Sequence, residues 1–497
     1  MLKNINPNWD KSVISITILL SVVLSIFVLI DPQNTSKILS DVYAYLSAMF
    51  ESVFMYGSFG LLIFLLILGL SKYGNFKVQL SNKPTYSMLS WSCMLFAAGI
   101  GATLLYWSTV EWMEYYNILK DDPLLTKDEV LLYSRAYPLY HWGFSAWSIY
   151  CLPVVAFGIA LTLRPDTNLS FSGILGAQNY LYKFLLDVLF IGAIICGAGV
   201  GLGLSFPLIS SVISEIFQID RTFGLDIFTI LMCSLVFMTS AYVGVQNGIR
   251  RLSNINIFLV ISFLIIIIFV GPTQYILINS VESFSFLMVN YIEMSLATGT
   301  EISIDWSVFY LAWWLALAPM VGTFIVNISN NKTLRQIIFG TILVGSFGCM
   351  FSMMVLSNLS ISIFETGAIN GPNIIENNLM TRERLIVETI SSLNFSYILL
   401  LAFSLILIIF LCTTYDSASY VLASASMKNS NMKSSKSLRI LFAILLVIQP
   451  TLLMYLNGVD SFKWIMVIFS IPLLFIYLLL IYLSLIHISE PTRRTSI

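Results

Sequence analysis

The chain has 497 residues, 58% of them hydrophobic and 10% charged, with a formal net charge of −1. A soluble domain carries roughly 25% charged residues, so this composition, with a mean hydropathy of +0.88, cannot clothe a water-facing surface and belongs in a bilayer. The near-neutral charge says nothing of partners, and no basic patch points to nucleic acid; six scattered cysteines with no CxxC pair argue against a disulfide frame or zinc site, and two histidines are too few for a histidine-based metal centre.

In chain order, the polar opening MLKNINPNWDKSV leads into an apolar run with no small-residue cleavage site behind it, so the run is expected to stay as a membrane helix. A spanning helix needs about 20 mostly apolar residues. Qualifying runs lie near 12–30, 48–70, 87–108, 138–161, 184–206, 224–243, 253–271, 306–328, 336–357, 395–415, 438–456 and 462–485, which predicts about twelve spans. With both termini cytoplasmic, the inside segments hold 17 of the 25 Lys and Arg residues and the outside segments hold 8, the bias that orients a membrane protein.

Within the third run, FAAGIGATLLYW (96–107) carries Gly99 and Gly101. Such glycines either loosen a helix and expose backbone groups to a cavity, or let two helices pack closely. In the fourth, YHWGFSAWSIY (140–150) crowds Trp142, Trp147 and Tyr150 into an apolar stretch. On one continuous helix, at about 100° per residue, they fall near roughly 0°, 140° and 80°, all on one side. The second glycine-rich stretch, GAGVGLGLSFP (197–207), fits close packing, with Pro207 ending the span. Residues 272–305 hold no Lys or Arg and include the amphipathic SVESFSFLMVNYIEMSL, expected to lie at the interface.

Further on, WSVFYLAWWLALAPMVG (306–322) places Trp313 and Trp314 well inside a span, where an interfacial aromatic belt does not explain them. Residues 358–394 read as a polar outer loop. LCTTYDSASY (411–420) sets Thr413 and Thr414 near the end of the tenth span, where hydroxyls suit a hard cation or bond back to their own helix. Asp416 there reads as a carboxylate at the cytoplasmic edge. The final SLIHISEPTRRTSI turns abruptly polar and resembles translated cloning or adapter DNA, so residues 486–497 are set aside as an atypical tail.

Aromatic faces around a cation are what quaternary-ammonium recognition requires, each ring contributing roughly 0.5–2 kcal/mol when desolvated. Trp142, Trp147 and Tyr150, closed by one of the eighth-span tryptophans, supply such faces. No clustered acid/base or metal set is expected within the spans, which argues against an enzyme, and no repeated filter suggests a channel.

Several stretches resemble the betaine/choline/carnitine transporter family. YGNFKVQLSNKPTYSMLSWSCMLFAAGIGATLLYWSTVEW is similar to its approach to the third helix, YHWGFSAWSIY to its fourth-helix motif and GIRRLSNIN (248–256) to the cytoplasmic start of its seventh. DWSVFYLAWWLALAPMVGTFIVNISNNKTLRQIIFG resembles its eighth-helix signature and TTYDSAS its tenth. The resemblance implies an all-α integral membrane fold of about twelve helices, with helices 3–7 and 8–12 forming two inverted five-helix repeats of the LeuT-like type. It divides the chain into two N-terminal helices (1–86), a first repeat (87–271), an outer loop with an interfacial helix (272–305), a second repeat (306–485) and the tail (486–497).

It further implies a substrate box of Trp142, Trp147, Tyr150 and Trp314, with Trp313 as a further contact and the Gly99, Gly101 and Thr103 stretch alongside. Sodium would be held by Thr413 and Thr414 with backbone carbonyls near Ala97, Ala98 and Ile100. Thr103 stands where a third glycine is usual, and Leu317 where a third tryptophan is usual, so the inner pathway is altered. The implied activity is uptake of a quaternary-ammonium solute such as glycine betaine, choline or carnitine, coupled to sodium, with no other cofactor. The alternatives are sodium-independent exchange, with Arg250 or Arg251 in place of the ion, and sodium-coupled amino-acid uptake on the same architecture. A homotrimer in the plasma (inner) membrane is implied as well.

Overall fold

A computed structural model describes residues 8–81, 83–98, 101–243, 246–428, 435–457 and 459–489. Among them the chain is helical throughout, with only two isolated β-bridges. Helix α1 (Lys11–Ile30) starts at Asp10, whose carboxylate accepts from the Val13 N–H. Helix α2 (Pro32–Leu70) starts at Asp31 in the same way, with Pro32 in the first turn, where its missing donor is not needed. At 39 residues α2 extends well before the expected 48–70, because Thr35, Tyr43 and Ser47 give its polar first half a buried face.

Two of the expected spans are broken. The third consists of α3 (Met88–Ala98) and α4 (Ala102–Leu119), separated at Gly101 in extended conformation (φ −147°, ψ 174°). A Cβ there would meet nothing within 4 Å, so Gly101 marks a break rather than a close helix contact. The fourth consists of α5 (Lys127–His141) and α6 (Phe144–Leu163). Trp142 caps α5 outside helical geometry, so the single-helix angular argument across 142–150 does not hold. Gly143 permits the break, since a Cβ on it would lie 2.4 Å from the Leu139 carbonyl oxygen.

After the short α7 (Phe171–Leu175), α8 (Tyr180–Phe217) runs straight through Pro207. The span therefore does not end there: Ser210, Ser211 and Ser214 beyond the proline are buried and keep the helix in the core. The glycines of 197–203 do pack closely, as expected, with Gly197 against Leu317 and Gly203 against the Phe462 ring. Helices α9 (Phe223–Val243) and α10 (Gln246–Val270) follow. Arg250 and Arg251 thus lie on a helix and not in a loop, although their side chains are outside the described residues. Past Gly271 and Pro272 the chain turns by 114° into α11 (Thr273–Leu296), which exposes Ile278, Val281, Val289 and Ile292.

A π-turn at Ser303–Ser307 opens α12 (Val308–Ile328), which is apolar all round and packed among α6, α8 and α2. Helix α13 (Leu334–Phe339) passes through a second π-turn, Gly340–Gly345, into α14 (Ser346–Glu365). The segment expected as a polar loop is instead the end of α14 followed by α15 (Gly371–Glu376) and α16 (Arg382–Ser391). The sequence alternation misleads there because α16 buries Leu385, Ile386, Val387 and Ile390 on one face. Helices α17 (Ser396–Ala425), α18 (Lys436–Asn457) and α19 (Val459–Ser489) complete the described chain. Residues 486–489, assigned to the tail, continue α19, and 490–497 lie outside the described residues.

Eight helices among the described residues are long and apolar enough to cross a bilayer, or nine when the bent α10–α11 pair is counted as one. The remaining expected crossings fall on the interrupted α3–α4, on α9 and on α18.

Candidate functional site

The aromatic residues singled out from sequence meet where α12 crosses the α5–α6 break. Trp142, Trp147, Tyr150, Trp313 and Trp314 are all buried. Their ring planes stand near right angles to one another. Trp314 lies 4.8 Å from Tyr150 (69°) and 5.1 Å from Trp142 (87°). Tyr150 lies 5.5 Å from Trp147 (85°), and Trp142 5.9 Å from Trp313 (82°). Edge-to-face contacts of this kind fix each ring relative to the next.

Hydrogen bonds from distant elements set the tryptophan orientations. The Trp314 indole N–H donates to the His141 carbonyl at 2.9 Å, one of the carbonyls left over at the end of α5. The Trp313 N–H donates to the Gly197 carbonyl of α8 at 3.0 Å. Trp147 sits where it does because residue 345 is glycine: a Cβ there would lie 2.2 Å from the indole ring.

The third anchor was not anticipated. The Trp142 N–H donates to Glu111 Oε2 at 2.8 Å, and Glu111 is fully buried on α4. Its Oε1 accepts from the Tyr115 hydroxyl at 2.6 Å and lies 3.4 Å from His141 Nδ1. His141 Nε2 lies 2.8 Å from the Ser307 hydroxyl on the π-turn before α12. This set joins an acid and a histidine across α4 and the end of α5, with Glu111 and Tyr115 lying beyond the expected third span of 87–108. Glu111 is a fully buried carboxylate, and its i and i+4 spacing from Tyr115 on α4 is the available sequence signal. Among the described residues no group of three or more His, Cys, Asp or Glu is placed to hold a metal.

The hydroxyl pair is placed differently. Thr413 Oγ1 bonds within its own helix, to the Ile409 carbonyl at 2.9 Å and the Phe410 carbonyl at 3.1 Å. Both Thr413 and Thr414 are half-buried. Of their expected partners, Ala97 and Ala98 are the last described residues of α3, while Ile100 lies outside the described residues, as do the Ala97 side chain and Gly99 of the expected substrate stretch. Thr103, on the first turn of α4, faces Gly201 of α8 together with the hydroxyl of Tyr415, which itself donates to the Ala198 carbonyl at 2.8 Å. So α4, α8 and α17 converge beside Thr413. Asp416 is not a surface carboxylate: it is buried, because α18 covers it and Arg439 pairs with it at 2.7 Å.

On the side where α16 lies, three successive charged residues reach three partners. Arg382 pairs with Glu114 of α4 at 2.6 Å, Glu383 accepts from the Tyr106 hydroxyl at 3.2 Å, and Arg384 pairs with Glu215 of α8 at 2.8 Å. Burial works against the Arg382 charge, but the Glu114 carboxylate more than offsets it and holds the guanidinium above its ordinary value.

A family model described as betaine/carnitine/choline family transporter matches residues 12–493. The carnitine transporter of Acinetobacter baumannii is 29% identical over 481 residues, 94% of this chain and 87% of that protein. The glycine betaine transporter OpuD of Bacillus subtilis is 23% identical over 490 residues, 95% of this chain and 92% of that protein. An uncharacterized transporter of Escherichia coli, YeaV, is 28% identical over 429 residues, 84% of this chain and 88% of that protein. The chain belongs to the betaine/carnitine/choline transporter family.

Proposed function

We propose that this family member is a secondary active transporter that takes up a quaternary-ammonium solute such as glycine betaine, choline or carnitine, coupled to sodium. The observation that supports the substrate class is the run of perpendicular ring contacts Trp142–Trp314–Tyr150–Trp147. A quaternary ammonium has no N–H to satisfy, so aromatic faces alone suffice to hold it in a dry site. A primary ammonium would need acceptors there. The Glu111 carboxylate behind Trp142 adds negative potential one hydrogen bond away from the rings.

For coupling, a permanently charged onium carries no proton of its own to exchange, so accumulation needs a separate ion. Thr413, Thr414 and the carbonyls around Ala97, Ala98 and Ile100 are the proposed sodium ligands, with Gly99 and Gly101 providing the break. Thr103 adds no titratable group, which leaves proton coupling through that position without a carrier. The bonding of the Thr413 hydroxyl to its own helix favours a second reading, onium exchange without sodium. The proposal includes two inverted repeats over 87–271 and 306–485, cytoplasmic termini, the plasma (inner) membrane and a homotrimer.

The test is uptake of labelled betaine, choline and carnitine against a labelled amino acid in cells expressing the chain, in sodium and in potassium buffer. Onium uptake that needs sodium is expected. Equal uptake in both buffers favours exchange, and amino-acid uptake alone overturns the substrate class.

A further inference from the structure

A cavity of about 190 Å³ opens where the end of α6, the start of α8 and the turn after α17 meet, and it shares no lining residue with the ring cluster. One cation comes from each element: Arg164, the C-cap of α6, Lys183 near the start of α8, and Lys428 just past α17. Among the described residues no carboxylate lines the cavity, and its apolar lining is limited to glycine backbone and the methyl group of Ala177. The neighbouring Asp166 is exposed and is not part of the wall. Asp187 acts on Lys183 from a distance, but its oxygens accept from the Ser172 N–H at 3.3 Å and the Ser172 hydroxyl at 2.8 Å. Neither lysine ammonium has a carboxylate of the described residues within 4.0 Å.

Backbone contacts hold two of these cations in place. Arg164 Nη2 donates to the Ile174 carbonyl at 2.7 Å. Gly176 stands in the left-handed conformation (φ +67°), and a Cβ on it would lie 2.8 Å from Arg164 Nη1, so the turn leaves the guanidinium its room. The Lys428 N–H donates to the Asn8 carbonyl at 2.8 Å, and the Asn168 amide donates to the Met427 carbonyl at 3.4 Å. The turn that carries Lys428 is thus tied to the N-terminal segment and to the cavity wall. Three like charges that face one cavity without a carboxylate in its wall repel one another, and an anion between them removes that cost.

We propose that this cavity binds the phosphate group of a water-soluble phosphate monoester. Such a group carries about −1.5 to −2 charge at pH 7 and three strong acceptor oxygens. A guanidinium matches two of those oxygens with its planar fork, and lysines serve phosphate as point charges. Thr167 and Gln178 add neutral donors to the wall. Because the wall offers acyl chains no apolar side chain larger than alanine's, it suits a soluble compound and not a lipid headgroup. A phosphate held there joins the end of α6, the helix of Trp147 and Tyr150, to the end of α17, the helix of Thr413. The site stands apart from the onium reading of the function, and its test does not use onium binding or uptake.

The experiment is equilibrium dialysis of radiolabelled inorganic phosphate against the purified full chain in phosphatidylcholine nanodiscs, with ionic strength held constant by sodium chloride. One saturable site is expected, and glycerol 3-phosphate should displace the label. Lys183→Met with Lys428→Met removes two charges from exposed positions, where the fold does not depend on them, and should weaken binding by about tenfold or more. Lys37→Met with Lys127→Met makes the same charge change at exposed positions elsewhere and should leave binding unchanged. Short-chain dihexanoyl phosphatidylglycerol should compete less well than glycerol 3-phosphate. Absence of a saturable site overturns the proposal, as does binding that survives Lys183→Met with Lys428→Met. Equal weakening by the distant pair reduces the effect to general attraction of anions and overturns it too. Stronger competition by the short-chain lipid assigns the cavity to a lipid headgroup and overturns the soluble ligand.

Discussion

The ring cluster and the threonine pair are both built from residues on apolar helices, yet they are held in opposite ways. Each tryptophan whose indole N–H is bonded at the cluster reaches a different element: Glu111 on α4 for Trp142, the His141 carbonyl at the end of α5 for Trp314, Gly197 on α8 for Trp313. Thr413 reaches only one turn back along α17. A group anchored from several elements keeps its geometry without a ligand, whereas a hydroxyl bonded to its own helix must give up that bond, at least in part, to serve an ion. On the proposed function, a ligand at the rings would meet a preorganised site, and an ion at the threonines would carry a switching cost. That is the arrangement expected where the ion's occupancy biases the conformation of the protein.

The largest effect should come from disturbing the packing behind the rings. Gly345→Ala pushes a methyl group to 2.2 Å from the Trp147 ring. Overpacking of this kind costs about 1–3 kcal/mol, so a lowered thermal midpoint and lost uptake are expected. A variant with wild-type stability would show that Trp147 is loosely held and would weaken the contrast.

Next is Glu111→Gln, which keeps the shape of the side chain and removes the charged acceptor of the Trp142 N–H. Hydrogen bonds to charged groups exceed neutral ones by about 1 kcal/mol, so onium affinity should fall roughly five- to tenfold with the fold intact. Substrate titration of the purified variant checks this, and an unchanged affinity would make the Glu111 set purely architectural.

For the threonines, the double substitution Thr413→Ala with Thr414→Ala should raise the sodium concentration for half-maximal uptake while changing stability by less than about 1 kcal/mol, since only local back-bonds are lost. A sodium dependence identical to wild type would remove the pair from the ion site and favour exchange. Smallest of all should be the stability effect of Gly101→Ala. Its backbone is extended and a Cβ would meet nothing within 4 Å, so a change within about 0.5 kcal/mol is expected in a melting experiment.

How much of this was legible in the sequence follows from the same contrast. Trp313 and Trp314 stand out because large aromatics well inside a span defy the interfacial-belt explanation. The break at Trp142–Gly143 is missed although Pro138, His141 and Gly143 stand at it, because the aromatic crowding of 140–150 reads as one face of one continuous helix. Glu111 was overlooked because its partners Tyr115, His141 and Trp142 come from two helices and an interhelical corner, and only folding brings them together. From sequence Asp416 reads as a surface group, because its partner, Arg439, lies on the next helix, 23 residues away. The buried face of α16 was hidden by its charged opening, Arg382-Glu383-Arg384, which reads as a solvated loop until Glu114, Tyr106 and Glu215 are placed opposite.

The most direct test of the account is onium affinity in Trp314→Phe and Trp314→Leu, measured side by side with labelled betaine. Phenylalanine keeps a π face, and leucine keeps bulk and apolarity without one. The account predicts that Trp314→Phe binds within a few-fold of wild type and that Trp314→Leu is weakened by about tenfold or more, through the loss of roughly 1.4 kcal/mol of cation–π energy. Equal affinities in the two variants would contradict it and return the ring cluster to packing alone.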